Sequence, residues 1–277
     1  MIQDIQPVQF NNQYKHIKPN EDDLIICFHS NKFYIHYNKD QQKLTFPKWQ
    51  EFSEKPNSVY LFSLDDEKYF LVIEAKDLPD GYEWYDTQEL RKLKKQGNQD
   101  IFIIFTAWHL AKWYHSSRFC GICGTKTEFD TIERAMVCPH CGNKIYPRIN
   151  PAVIVGVTNG DKLLLTKYNR TYAYNALIAG FTEIGETVEE TVQREVMEET
   201  GLKVKNIRYY KSQPWGIAAD ILMGFYCDVD GDDTIHRDET ELKYAAWVDR
   251  QDIELQPDSL SLTNEMMMMF KQGSEIK

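Results

Sequence analysis

The sequence predicts a mixed α and β chain in three parts: an α+β segment over residues 1–118, a small metal ribbon over 119–147, and a mixed α/β segment over 148–277. Three observations carry this prediction. The first part pairs short strand-like runs and ends in helical patterns. The second holds two Cys-x-x-Cys knuckles. The third sets one glutamate-rich helical stretch among several strand-like runs.

In the first part, Leu24–Phe28 and Phe33–Tyr37 flank Asn31-Lys32, which reads as a hairpin. Val59–Leu64 and Tyr69–Ile73 flank Asp65-Asp66-Glu67, which reads as another. Helical patterns follow at Thr87–Lys95 and Asp100–His115. Trp108, Leu110 and Trp113 on the second suit core packing. In the third part, Ala152–Val157 and Lys162–Thr166 surround Asn159-Gly160, a tight-turn pair. Further strands are predicted at Lys203–Tyr210, Ile221–Asp228 and Ala245–Val248, and a helix around Met266–Met269, a methionine run suited to a core or a dimer seam.

The ribbon rests on Cys120-Gly-Ile-Cys123 and Cys138-Pro-His-Cys141, each followed by a glycine, Gly124 and Gly142. Four thiolates at this spacing suit tetrahedral Zn²⁺, and such a closed site is structural because it leaves no open position for substrate. A redox Cys-x-x-Cys is normally single, and a disulfide pair needs an oxidising compartment.

The richest segment runs from Gly180 to Leu202. It fits G-x5-E-x7-R-E-U-x-E-E-x-G-U, where U is aliphatic. Glu195, Glu198 and Glu199 fall at i, i+3 and i+4, so a helix places them on one face. Like charges at that spacing repel, and only Arg194 beside them is cationic. A divalent cation relieves the repulsion, and Mg²⁺ or Mn²⁺ prefers carboxylate oxygen. Thr187 with Glu190 forms a capping-box pair, and Gly201 is placed to end the helix in a left-handed conformation. Gly180 and Gly185 are expected to tighten the preceding loop, and Arg194 to pair with Glu186. A merely solvated acidic helix would not require the glycine, Glu186 and Arg194 constraints.

Composition bounds the rest. A hydrophobic fraction of 42% and an aromatic fraction of 13% support real cores across 277 residues. A net charge of −10 argues against a nucleic-acid surface, which usually carries a basic stripe. Lys167, Arg170 and Arg148 are candidates to meet phosphates. Cys27 and Cys227 sit in apolar runs and read as reduced core residues. The opening Met-Ile-Gln-Asp-Ile-Gln-Pro lacks a signal-peptide pattern, and no apolar segment approaches membrane-spanning length, so a reducing cytoplasm is expected.

The Gly180–Leu202 run resembles the signature of the Nudix hydrolases. A ribbon upstream of it is similar to the NADH pyrophosphatase, or NAD(+) diphosphatase, branch. Phe119-Cys120, Glu133, Tyr146-Pro147-Arg148 with Asn150-Pro151-Ala152, and Ser212-Gln213-Pro214-Trp215 agree with that branch. The resemblance implies an α/β/α sandwich with a mixed sheet. It implies that Glu195, Glu198, Glu199, Glu241 and the Ala179 carbonyl hold Mg²⁺ or Mn²⁺. It implies substrate contacts from Arg91, Glu133, Tyr146, Phe181 (a stacking aromatic) and the stretch Gln213, Pro214, Trp215, Gly216, Ile217, Ala218, Ala219 and Asp220.

The branch's motif continues after the tryptophan as Pro-Phe-Pro-x-Ser. This chain has Gly216-Ile217-Ala218-Ala219-Asp220 instead, and Tyr244 stands where the family often has a second glutamate. The implied activity is hydrolysis of the pyrophosphate of NADH or NAD⁺ to NMN(H) and AMP. Alternatives are another nucleoside diphosphate derivative (ADP-ribose, FAD or a dinucleotide polyphosphate), removal of an NAD cap from RNA 5′ ends, or a non-catalytic ligand sensor. The branch is typically homodimeric, and no membrane partner is expected.

Overall fold

The structure is a computed structural model that describes residues 1–41, 43–93, 98–169 and 174–276. It divides into two compact units. One comprises Asp4–Arg148 with Gly216–Ala218; the other comprises Met1–Gln3, Ile149–Trp215 and Ala219–Lys277.

In the first unit a seven-stranded sheet runs in the order Phe10–Asn11, Asn57–Leu64, Glu67–Glu74, Leu24–His29, Lys32–Asn38 and Lys43–Thr45, with Glu83–Asp86 also paired to Lys32–Asn38. Its strands pair antiparallel except Leu24–His29 with Glu67–Glu74. The first hairpin turns at Ser30-Asn31 rather than Asn31-Lys32. Both turn residues take positive φ, 47° and 67°, the geometry that matches the twist of the flanking strands. The helix Asn98–Ser116 buries Ile101 to Phe105 on every side, so it is a core helix. Trp108 packs edge-on against Phe28, with ring centroids 5.3 Å apart, in the packing role predicted for it. Lys95, the predicted end of the preceding helix, lies outside the described residues; the helix is described over Thr87–Leu93. The ribbon adds three short antiparallel strands, Glu128–Phe129, Met136–Val137 and Lys144–Ile145.

The second unit is a six-stranded mixed sheet between two helices. The strand order is Val204–Trp215, Asp220–Val229, Asn150–Asn159, Lys162–Tyr168 and Leu242–Asp249, with Ile178–Phe181 also paired to Asn150–Asn159. Alternation along Asn150–Asn159 builds two cores. Val153, Val155 and Val157 face Val192 and Val196 of the helix Val188–Thr200. Ile154 faces the other way, toward Met266, Met267 and Phe270 of the helix Leu262–Lys271. The methionine run thus fills core space. Val192 and Val196 are both fully buried, and burying each is worth about 1.5–3 kcal/mol. Those two contacts fix which face of the glutamate helix remains for chemistry.

Candidate active site

The glutamate helix begins and ends where its cap residues direct. The Thr187 hydroxyl accepts from the Glu190 amide at 3.2 Å, and the Glu190 carboxylate accepts from the Thr187 amide at 2.8 Å. Gly201 closes the helix at φ 70°. Between these caps the three glutamates graduate in exposure. Glu198 is 59% exposed, Glu195 is half-buried, and Glu199 is only 2% exposed.

Arg194 organises the polar edge. Its guanidinium grips Glu186 with two bonds of 2.5 and 2.9 Å, and donates to Glu195 at 2.8 Å, Glu198 at 3.0 Å and the Phe181 carbonyl at 2.8 Å. The predicted Glu186 pair is therefore one arm of a larger hub. Arg194, with the Glu183 amide, holds the Glu186 carboxyl down at about 2.

Gly180 acts differently from the sequence expectation. It lies within the strand Ile178–Phe181, paired to Val153, and not in a loop. A Cβ there would stand 1.9 Å from Cδ of Glu195, so the glycine exists to admit that carboxylate. Gly185 is the turn former, at φ 97°.

Glu199 points into the unit. Its carboxylate accepts from the Tyr168 hydroxyl at 3.2 and 3.3 Å, and that hydroxyl accepts from the Ala179 amide at 3.0 Å. Burial, with the charges of Glu195 and Glu241, raises the Glu199 carboxyl to about 8, against the pull of the Tyr168 and Ala179 hydrogen bonds. Burial likewise raises Glu195, opposed by Arg194. The charge of Glu241 thus acts on both helix residues, although Glu241 comes from an exposed loop before the strand Leu242–Asp249. Hard oxygen donors, mutual repulsion and a carboxylate out of water make a setting that a divalent cation relieves. Among the described residues, only the four ribbon cysteines already bring three or more ligand atoms within 4.8 Å of one another. Two of the helix glutamates are instead drawn to Arg194.

Those cysteines form a closed tetrahedral set. Sγ–Sγ separations are 3.6 Å for Cys120–Cys141, 3.4 Å for Cys123–Cys138 and 3.7 Å for Cys123–Cys141. Tetrahedral Zn–S bonds of about 2.3 Å require sulfurs roughly 3.8 Å apart, close to this spacing. Gly124 and Gly142 both sit at φ 73°, and their amides donate to the carbonyls of Cys120 and Cys138. The knuckles are thus two copies of one turn. Amides of Cys123 and Ile122 aimed at the Cys120 sulfur lower its thiol.

The remaining predicted residues fall in both units. Phe181 ends its strand 52% exposed. Gln213 is fully buried; its amide donates to the Leu260 carbonyl at 2.8 Å and its oxygen accepts from the Leu262 amide at 2.8 Å. The geometry gives it an anchoring position at the start of the C-terminal helix. Pro214 is exposed, Trp215 and Ala219 are half-buried, and Asp220 is buried beside Asn150 at 3.4 Å.

In the other unit, Glu133 bonds Tyr146 and pairs with Lys144 at 2.9 Å, which lowers its carboxyl. Arg91 is half-buried on the helix Thr87–Leu93. Gly216 packs on the Asn98–Ser116 helix: a Cβ would meet the Phe105 carbonyl oxygen at 2.0 Å. Ile217 is half-buried and Ala218 exposed. Of the basic candidates, Lys167 lies over the Tyr244 ring at 5.6 Å, Arg148 is exposed, and Arg170 is outside the described residues. Tyr168 and Asn169 carried no sequence motif; only the end of a strand marked them.

A model of the NUDIX domain matches residues 148–267, and a model of the NADH pyrophosphatase zinc ribbon domain matches residues 115–146. The chain carries a Nudix domain. Two curated relatives of the chain are both named NAD-capped RNA hydrolase NudC. The one from Pectobacterium atrosepticum is 44% identical over 139 residues, 50% of this chain and 53% of that protein. The one from an Enterobacter species is 42% identical over 149 residues, 53% of this chain and 57% of that protein. The chain thus spans little more than half the length of the curated relatives it matches. A crystal structure of a NUDIX hydrolase from Nitrosomonas europaea aligns over 56% of this chain and 93% of its own, at 22% identity and TM-score 0.48.

Proposed function

We propose that the protein is a metal-dependent hydrolase of the pyrophosphate bond of NADH or NAD⁺, giving NMN(H) and AMP, and that it also acts on NAD-capped RNA 5′ ends. The observation that carries this reading is the helix Val188–Thr200, with Glu195, Glu198 and Glu199 arrayed beside Arg194 and the charge of Glu241. The ribbon match and the printed names of the relatives support the choice of dinucleotide.

Glu195, Glu198, Glu199, Glu241 and the Ala179 carbonyl would hold Mg²⁺ or Mn²⁺. When bound, the cation supplies a Lewis acid for phosphate oxygen and a water of lowered pKa. The chain's own groups do the rest. One of Glu195, Glu198 and Glu199, or Glu241, takes the proton from the attacking water, and in-line attack on one phosphorus breaks the anhydride. Phe181 orients a base or nicotinamide ring by stacking, which contributes positioning. Arg91, Glu133, Tyr146 and the Pro214–Asp220 stretch are proposed to contact substrate. Zn²⁺ in the ribbon is structural, the protein is a homodimer, and it works in the cytoplasm; no helix among the described residues is long and apolar enough to cross a membrane.

A second reading has its own observation. Gly216 stands where the family's motif has proline and lies in a close backbone approach, and Ala219 takes φ 63°. That favours a different nucleoside diphosphate derivative, such as ADP-ribose, FAD or a dinucleotide polyphosphate. Incubation with Mg²⁺ or Mn²⁺ and a panel of NADH, NAD⁺, these compounds and NAD-capped RNA, with products identified by mass, separates the two. Release of NMN(H) and AMP from NADH is the expected result. Failure on every pyrophosphate defeats the enzymatic reading and leaves a ligand sensor, whereas an unchanged rate in Glu199→Gln defeats the metal assignment.

A further inference from the structure

We propose that Tyr168 and Asn169, adjacent at the end of the strand Lys162–Tyr168, form a positioning clamp that sets Glu199, Ala179 and Glu241 for one divalent cation. The inference rests on the metal reading above. These three oxygen donors come from three separate segments: the helix Val188–Thr200, the strand Ile178–Phe181, and the loop preceding Leu242–Asp249. Backbone bonds join them only in part: the Asp238 amide of the loop donates to the Glu199 carbonyl at 2.9 Å.

Tyr168 and Asn169 touch all three. The Tyr168 hydroxyl is shared between both oxygens of Glu199, at 3.2 and 3.3 Å, and receives the Ala179 amide at 3.0 Å. One residue on, the Asn169 amide donates to the Glu241 carbonyl at 2.9 Å. The Asn169 carboxamide donates to the carbonyls of Glu239 at 2.9 Å and Thr240 at 3.1 Å. Helix, strand and loop are therefore held to one short stretch of chain.

A break in sheet register brings this about. Lys167 pairs with Tyr244, but Tyr168 pairs with Leu242, so Lys243 is skipped. In unbroken antiparallel register Asn169 would stand opposite Leu242, whose side chain belongs to the core. The extra residue shifts the partner by one and sets Asn169 level with Glu241. Bulges of this kind re-aim side chains beside functional sites. Groups that orient metal ligands without touching the metal typically change affinity about 10- to 100-fold when lost.

The test uses the full chain with its ribbon metal retained, and measures Mn²⁺ binding by electron paramagnetic resonance of the free ion. Tyr168→Phe keeps the ring and removes the hydroxyl; Asn169→Ala keeps the backbone amide and removes the carboxamide. Each is expected to weaken Mn²⁺ binding by roughly tenfold or more, with zinc content and thermal midpoint at wild-type values. The Mn²⁺ concentration for half-maximal hydrolysis should rise by a larger factor than the maximal rate falls. Should Tyr168→Phe melt early, the exposed Asn169 decides the matter, because its side chain adds little to the core. Wild-type Mn²⁺ affinity in both variants, with affinity lost in Glu199→Gln, overturns the clamp alone. Wild-type affinity in Glu199→Gln as well overturns the metal reading and the clamp together.

Discussion

Substituting Glu199 by glutamine should stabilise this protein at alkaline pH when no divalent cation is added. Glutamine mimics the protonated acid in shape and still accepts from Tyr168. Burial raises the Glu199 carboxyl from its ordinary 4.5 to about 8. A raised folded-state value means that the folded chain binds the extra proton between those limits. Stability is therefore fully present below about pH 4.5, falls as pH rises, and levels off above about pH 8. The span of about 3.5 units, at about 1.36 kcal/mol per unit, gives a loss of at most about 5 kcal/mol, less whatever relaxation and entering water recover. Glu195, also raised, adds in the same direction. Glu186, held at about 2, titrates below the window and does not offset it. The assay is urea unfolding followed by tryptophan fluorescence at pH 5 and pH 9, without chelator so that the ribbon keeps its metal. The variant should match the wild type at pH 5 and exceed it by several kcal/mol at pH 9. Mn²⁺ at pH 9 should close that gap by stabilising the wild type alone. A variant less stable than the wild type at pH 9, or a difference independent of pH, refutes the reasoning.

Gly180→Ala drives a methyl into the Glu195 carboxylate, which must swing aside, and should weaken Mn²⁺ binding in a titration while the thermal midpoint changes little. Gly216→Pro, which restores the family's residue, meets the Phe105 carbonyl and should lower the thermal midpoint; an unchanged midpoint would show that the loop is free to move away. Cys123→Ser should lose the ribbon's metal, measured as zinc per chain by atomic absorption, while the circular dichroism of the larger sheets persists.

Much of the site was legible because the helix caps are local chemistry. Thr187, Glu190 and Gly201 act within a few residues, so the helix ends could be placed from the sequence. The cysteine knuckles are equally local, and their glycines repeat one turn. The role of Gly180 was not legible, because its cause is a carboxylate fifteen residues away that only helix-on-sheet packing brings near. Tyr168 and Asn169 were invisible for a similar reason: their importance comes from a skipped residue in strand pairing, and register leaves no trace in composition. Gln213 was grouped with a substrate motif, yet its burial against the C-terminal helix depends on contacts with residues far along the chain. The first hairpin was found but set one residue late, since Asn31 fits either turn position and only the backbone angles decide.

Arg194 has a consequence for how this fold can come into being. By lying against Glu186, Glu195 and Glu198 it serves as a resident counterion, so the acidic ridge can assemble before any cation arrives. On the proposed metal reading, Glu198, held to the guanidinium by a single bond of 3.0 Å, would be free to turn to a cation while Glu186, gripped by two bonds, would keep Arg194 in place. The helix would then keep its fold whether or not a cation is bound.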